Sequence, residues 1–319
     1  MILVSGEALI DLFVDTRDHE RARTGLPALA VAGGSPFNLA FGISRLGAKS
    51  GFLGGLSEDG FGRMLAARLE AEGVDISLAK TSKRPTPLAI VATGADGHPT
   101  YTFHAENCAE CDLTAEDVPF NLDGISAIAI GSFSLIMEPV GTTLVGLVRR
   151  SAANCVVSID PNLRLSLVPD LAHWHARFDG LVRHASIVKL SVEDLDAAYG
   201  TDADEAEIAA RWLGAGAQLV VTTDGPNGAT AYHACGTVNV PGRNVTVIDT
   251  VGAGDTFHAA MLASLERSGR LTRDAIDGFD QEGLRTLLTE AAVAAGITCS
   301  RRGADLPTLE ELRAALAVI

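Results

Sequence analysis

Residues 249–265 read DTVGAGDTFHAAMLASL. Two glycines flank one alanine, an aspartate follows at once, and an apolar run continues behind it. Gly252 and Gly254 permit backbone angles that other residues avoid, so successive N–H groups can point into one concave spot. The run beyond them predicts a helix over about 253–267. The first N–H groups of a helix lack partners and its dipole favours anions. Gly252, Ala253 and Gly254 therefore read as an anion hole, suited to a phosphate or a developing negative charge. Asp255 stands at its mouth. A carboxylate there does not help to bind phosphate by charge. It makes sense as a base that takes a proton from a hydroxyl attacking that phosphate. The plainer alternative is a turn followed by an aspartate in a helix's first turn, where the dipole favours it anyway. Four residues alone do not decide between the two.

Bulk properties narrow the choice. The chain has 319 residues, 47% of them apolar and 20% charged, enough for a large buried core and too apolar for disorder. Its formal net charge is −15, which argues against nucleic acid or an anionic membrane as a partner. An anionic small substrate would need a local device such as a helix N-terminus. No apolar run is long enough to span a bilayer. The opening MILVSGEALIDLF lacks a basic leader segment and reads as a strand, not a signal peptide. Five cysteines without disulfide-like spacing suggest reduced thiols and a cytoplasmic protein.

Outward from the opening stretch, strands and helices alternate, the pattern of a parallel α/β sheet. ILVSG (2–6) reads as a buried strand. SPFNLAFGISRLG (35–47) reads as a helix with Ser35 at the N-cap and Pro36 at the first position. SGFLGGL (50–56) reads as a strand and 59–73 as a helix. Further strands are expected at 127–131, 155–160, 185–190 and 218–223, a hairpin at 230–241, and a last helix at 283–299. Two segments break the pattern. Residues 86–104 are two β-rich runs around the turn-rich GADGHP, and residues 10–32 are β-like without a good helix. They are expected to pair as a small sheet outside the main one.

Other residues carry weaker signals. Gly33 and Gly34 in AGGSPFN (32–38) would let a ligand approach the backbone, and Asn38 is polar on an otherwise apolar helix. Asp11 is a carboxylate in an apolar strand. Each has a bland alternative: a helix entry, a water-facing amide, an exposed strand position. In HAENCAEC (104–111), His104, Cys108 and Cys111 are too few for a closed zinc site. They read as residues at a sheet edge, the two cysteines as free thiols.

Taken together, AGGSPFNLAFGISRLGAKSGFLGGLSEDGFG and, far downstream, DTVGAGDTFHAAML resemble the two signature regions of the PfkB, or ribokinase-like, sugar kinases. GEALIDLF and SIDPNLR are most similar to the fructokinase branch. The resemblance runs from the first strand to CSRRGADLPT. It implies one ribokinase-like domain over 1–319, a central mostly parallel sheet flanked by helices. A β lid formed by about 10–32 and 86–112 would be inserted in it. It implies ATP-dependent phosphorylation of a sugar hydroxyl, with Mg²⁺ and, in some relatives, a potassium-like cation. By family pattern Asp255 is the catalytic base and Gly252–Gly254 the anion hole. Asp11, Gly33, Gly34 and Asn38 then contact the sugar, with Arg164 in DPNLR available to a phosphate or an acidic sugar. Thr223, Gly225 and Gly228 in TTDGPNGA resemble the nucleotide loop, and Lys189 could reach phosphate. Where many relatives carry Asn-x-x-Glu near Mg²⁺, this chain has Ser191 and Asp194, a pair that also suits a helix-capping box. Glu193 is a possible substitute. Asp249, with residues 299–304, is the place for a monovalent cation. The lid carries HAEN where relatives acting on 2-keto-3-deoxygluconate, and often fructokinases, have an arginine. Fructose is thus the first expected acceptor, with 2-keto-3-deoxygluconate and ribose as alternatives. A non-catalytic sugar-binding regulator is the rival from another class. An open lid edge offers a route to a homodimer.

Overall fold

The computed structural model describes residues 1–16, 25–93, 99–168 and 170–318. The first half of the chain contains β1 (Ile2–Ser5), β2 (Leu9–Asp15), β3 (Ala28–Gly33), α1 (Ser35–Arg45), β4 (Ser50–Leu53), β5 (Gly55–Ser57), α2 (Gly60–Ala71), β6 (Lys80–Ser82), β7 (Leu88–Thr93), β8 (Pro99–His104), β9 (Ala127–Gly131) and α3 (Val140–Ser151). The second half adds β10 (Val156–Asp160), α4 (Leu171–Val182), β11 (Ile187–Ser191), α5 (Val192–Tyr199), α6 (Glu205–Ala215), β12 (Leu219–Thr223), β13 (Ala229–His233), β14 (Gly236–Val240), α7 (Ala253–Arg267), α8 (Arg273–Asp277), α9 (Gln281–Cys299) and α10 (Leu309–Leu316).

Eight strands form the main sheet in the order β14-β13-β12-β11-β10-β9-β1-β4. From β12 to β4 every pairing is parallel, and the β13–β14 hairpin closes one edge antiparallel. The parallel strands are short apolar runs because helices cover both faces. Alternation sorts their side chains. Ile2, Val4, Ala127 and Ala129 belong to one core, while Leu3, Ile128, Ile130 and Val157 belong to the other. Winding reverses at β1, which has β4 on one side and β9 on the other. Ligand crevices form at such a reversal, outside the carboxyl ends of the strands.

Helix α7 lies deep in the first core, buried from Asp255 through Ala263. Small residues let it pack closely. A Cβ added to Gly42 of α1 would stand 3.0 Å from the Cβ of Ala259.

A second sheet has the order β3-β2-β7-β8. It joins the two segments that break the alternation. β2 runs antiparallel to β3 and parallel to β7, with Asp11 opposite Val31 and Ala89. The hairpin connection expected at GADGHP and part of the 10–32 segment lie outside the described residues.

Two local expectations are corrected. SGFLGGL is not one strand. The chain turns at Gly54, where a Cβ would collide with the Gly6 carbonyl, and β5 leaves the main sheet to pair with β6. Ser35 is not the N-cap of α1 either. Gly34 caps the helix with φ +105°, and no side chain completes the cap. A Cβ on Gly34 would stand 2.8 Å from the Glu7 carbonyl oxygen, so the close approach requires glycine. The Ser35 hydroxyl is thereby left for another partner.

Candidate active site

A cleft of about 1130 Å³ opens along the carboxyl ends of the main-sheet strands, beneath the second sheet. The strands deliver its polar residues in turn. Glu7 follows β1, Ser132 follows β9, Asp160 ends β10 and Arg164 follows it. Lys189 and Ser191 come from the end of β11, Thr223 from β12. The second sheet adds Asp11, Phe13, Tyr101 and Phe103.

Asp255 lies on the cleft wall, 9% exposed, in the first turn of α7. Its two carboxylate oxygens are held from α1. The Ser35 hydroxyl donates to Oδ1 at 2.6 Å and the Asn38 amide to Oδ2 at 2.8 Å. Burial pushes the carboxyl pKa up, and these two hydrogen bonds pull against the rise. The Asn38 amide oxygen, also buried, has no partner among the described residues.

Helix α7 starts at Gly252, in the left-handed region with φ +79°, and carries no side-chain cap. A Cβ there would stand 2.7 Å from the Ala304 Cβ. The Ala253 N–H bonds back to the Thr250 carbonyl at 3.2 Å. The N–H groups of Gly254 and Asp255 have no backbone partner among the described residues. The turn thus presents open donors beside a buried carboxylate.

Beneath the turn, Lys189 and Asp160 form a buried ion pair at 2.8 Å. Burial pulls the ammonium pKa down, but the charge and hydrogen bond of Asp160, with the charges of Asp194 and Asp255, together outweigh it, and the net direction is up. The Ser158 hydroxyl lies 2.6 Å from His258 Nε2, and Nδ1 of the same ring is 3.9 Å from Asp160. Burial, then the Lys189 charge, pushes the His258 pKa down to about 3, so the ring is neutral.

On the wall facing α1, burial lifts the Asp11 pKa to about 6; Arg164 opposes the rise and Asp255 adds to it. Gly33 does not line the cleft. It stands behind Asp11, where a Cβ would collide with the carboxylate. Glu7 is buried, and that burial raises its pKa; its Oε2 accepts from the Ser134 hydroxyl at 2.6 Å.

At the other end of the cleft the lining is small and apolar: Ala292, Ala295, Gly296 and Cys299 of α9, with Val245 and Val247. Gly225 and Gly228 both have positive φ, and Thr223, Gly225 and Gly228 edge this slot. Asp194 lines the cleft but is fully engaged. It accepts from the Leu163 N–H at 2.7 Å and completes a capping box with Ser191. Glu193 beside it is exposed, with no partner among the described residues. Asp249 is off the cleft wall. Its oxygens accept from the Val251 and Gly303 N–H groups, tying the turn to the 300s loop. Cys108 and Cys111 are buried free thiols; burial pushes their pKa values up to about 11 and 12.

Sequence reading brought most of these residues together but missed Ser35 and Glu7 as site residues. Ser35 was assigned to a cap. The signal for Glu7 was its place directly after β1, at the carboxyl end of the sheet.

The profile of the pfkB family of carbohydrate kinases matches residues 1–311. The chain belongs to that family and is a carbohydrate kinase, a phosphotransferase with a ribokinase-like fold. A fructokinase of Rhizobium leguminosarum bv. trifolii is 40% identical over 285 residues, 89% of this chain and 86% of that protein. The crystal structure of a fructokinase from Xylella fastidiosa with bound ATP superposes with a TM-score of 0.89. It is 29% identical, over 99% of this chain and 98% of that one. A double-mutant fructokinase from Vibrio cholerae, bound to fructose, ADP and potassium, gives 0.84 at 26% identity, over 99% and 97% of the two chains.

Proposed function

We propose that this carbohydrate kinase moves the terminal phosphoryl group of ATP to a hydroxyl of fructose, with Asp255 as the general base. The observation that carries the reading is Asp255 itself. It is a buried carboxylate, steadied by Ser35 and Asn38, beside a helix start whose N–H groups have been left open. The names of the similar proteins support fructose as the acceptor.

The chemistry follows from the geometry. The sugar hydroxyl loses its proton to Asp255 as its oxygen bonds to the γ-phosphorus, and the bond from that phosphorus to the bridging oxygen breaks, releasing ADP. The open N–H groups of Gly254 and Asp255 meet the charge that spreads over the transferring group. Asp11, Gly34 and Arg164 face the sugar end of the cleft. Thr223, Gly225 and Gly228 edge the apolar slot, which suits the nucleotide. The second sheet serves as a lid that excludes water from the reaction.

Among the described residues no group of three or more His, Cys, Asp or Glu could cage a metal ion. Mg²⁺ is typically carried by substrate phosphates and water with one or two carboxylates. Glu193 has no competing partner among the described residues, whereas Asp194 is committed to its cap. When bound, Mg²⁺ neutralises phosphate charge. A potassium-like cation at the Asp249 loop would act by fixing the turn that ends at Gly252. No helix among the described residues is long and apolar enough to cross a membrane. Five free cysteines support the cytoplasm as the compartment. The lid edges β3 and β8, unpaired among the described residues, are the surface for a second copy, tested by light scattering.

The deciding experiment is ADP release from Mg-ATP with fructose, ribose, tagatose, 2-keto-3-deoxygluconate and adenosine. Strong fructose-dependent turnover supports the reading. Turnover with the acid sugar alone moves the assignment to that acceptor and makes Arg164 its carboxylate partner. Sugar binding without turnover on any acceptor would sink the kinase reading.

A further inference from the structure

We propose that Lys189 is a positioning residue of the transfer reaction: held at the anion-hole turn by Asp160, its ammonium places fixed positive charge against Gly254. The inference rests on the function proposed above.

A lysine on a strand ordinarily stretches towards water. This one is 3% exposed, and its partner Asp160 is 4% exposed. A buried ion pair is a poor stabilising device, because desolvating both charges offsets most of their attraction. A pair of apolar residues would pack the same space at less cost. The location therefore calls for a reason other than stability.

Geometry supplies one. A Cβ built on Gly254 would stand 3.2 Å from Lys189 Nζ. Gly252 is required by its positive φ, but Gly254 has no such angle. What a side chain at Gly254 would crowd is the ammonium. The two glycines of the turn thus have different tasks: one bends the chain, the other lets a cation sit against the turn.

The charged groups around Asp255 single out Lys189. Asp11 faces it from β2 and Asp160 from the end of β10, and both are carboxyl groups. Ser35 and Asn38 of α1 are neutral donors. Asp194 of α5 faces Lys189 and Asp160. Arg164 acts on Asp11 and Glu7, towards the sugar end. His258 is neutral. Among the described residues Lys189 is the cation that acts on Asp255, lowering its pKa against burial and against the larger, raising effect of Asp160. Asp160 fixes the ammonium against Gly254, while its own charge opposes that of Lys189 at Asp255. A fixed, water-excluded cation against a hydrogen-bonding turn stabilises charge on the transferring group at no reorganisation cost.

The test uses four full-length proteins: wild type, Asp255→Asn, Lys189→Met and Lys189→Met/Asp160→Asn. Fructose-dependent ADP release, thermal stability and the pH profile of kcat are measured for each. Lys189→Met is expected to lower kcat about 100-fold. KM for both substrates should stay within about threefold, because the charge acts on the transition state. The acid limb of its residual activity should move to higher pH, since Asp255 loses a neighbouring cation. The double variant removes both charges, so it should regain thermal stability but not turnover. Regained turnover in the double variant would mean that the pair is only structural, and would overturn the inference. Near-normal kcat in Lys189→Met with a silent Asp255→Asn would overturn it alone. A wild type silent on every sugar would overturn it together with the kinase reading.

Discussion

Helices α5 and α7 both begin at the cleft, and both carry an aspartate in the first turn. Their starts differ in one respect. At α5, Ser191 is the N-cap, its hydroxyl accepts the Asp194 N–H, and Asp194 accepts in return. At α7, Gly252 is the N-cap and has no side chain with which to close the turn. Asp194 therefore serves its own helix, while Asp255 is held from outside by α1 and remains beside open N–H groups. A helix start that caps itself is finished structure. One that leaves its donors unpaired in a buried place is available for chemistry.

That contrast can be broken experimentally. The largest effect is expected from Asp255→Asn, which keeps shape and sugar binding but removes the base; kcat should fall by about 10²- to 10⁴-fold. Sugar binding by calorimetry beside kcat checks this, and a kcat within tenfold of wild type would refute it. Gly252→Ala should come next. A methyl group meets Ala304 and forces a non-glycine residue to φ +79°, at a cost of about 1–3 kcal/mol. Both thermal stability and turnover should drop, the second by at least tenfold on the order expected for a misplaced donor. Ser35→Ala should be milder, lowering kcat roughly tenfold as a lost hydrogen bond to a charged group suggests. It carries a sign as well. The Ser35 hydrogen bond holds the Asp255 pKa down, so removing it should move the acid limb of the pH profile upward. A downward shift would show that Ser35 does not stabilise the carboxylate. Ser191→Ala should do least to catalysis. Loss of the cap should cost about 1 kcal/mol in urea unfolding and leave kcat nearly unchanged. A large loss of kcat there would erase the distinction between the two helices.

Much of this was legible in the residues. The bounds of α7, the parallel alternation, the split into two sheets and the placing of Asp255 beside the turn all follow from local pattern. Local pattern misled where a distant backbone intervened. SGFLGGL looks like one strand, yet the Gly6 carbonyl leaves no room at Gly54 and the chain turns. Ser35 looks like a cap, yet Asp255, 220 residues away in sequence, takes its hydroxyl. Asn38, expected to contact the sugar, lines the cleft and also donates to Asp255; Gly33, expected to contact it too, stands behind Asp11.

By itself, then, the sequence determined what depends on neighbours along the chain: which runs are apolar and with what period, where glycine frees the backbone, and which carboxylate follows the turn. Tertiary structure alone decided which distant groups share a buried space. The Lys189–Asp160 pair, the neutral His258 and the two donors on Asp255 belong to different elements that meet only after the sheet has formed. Their pKa directions follow from burial and from one another's charge, and neither is a property of a residue in sequence.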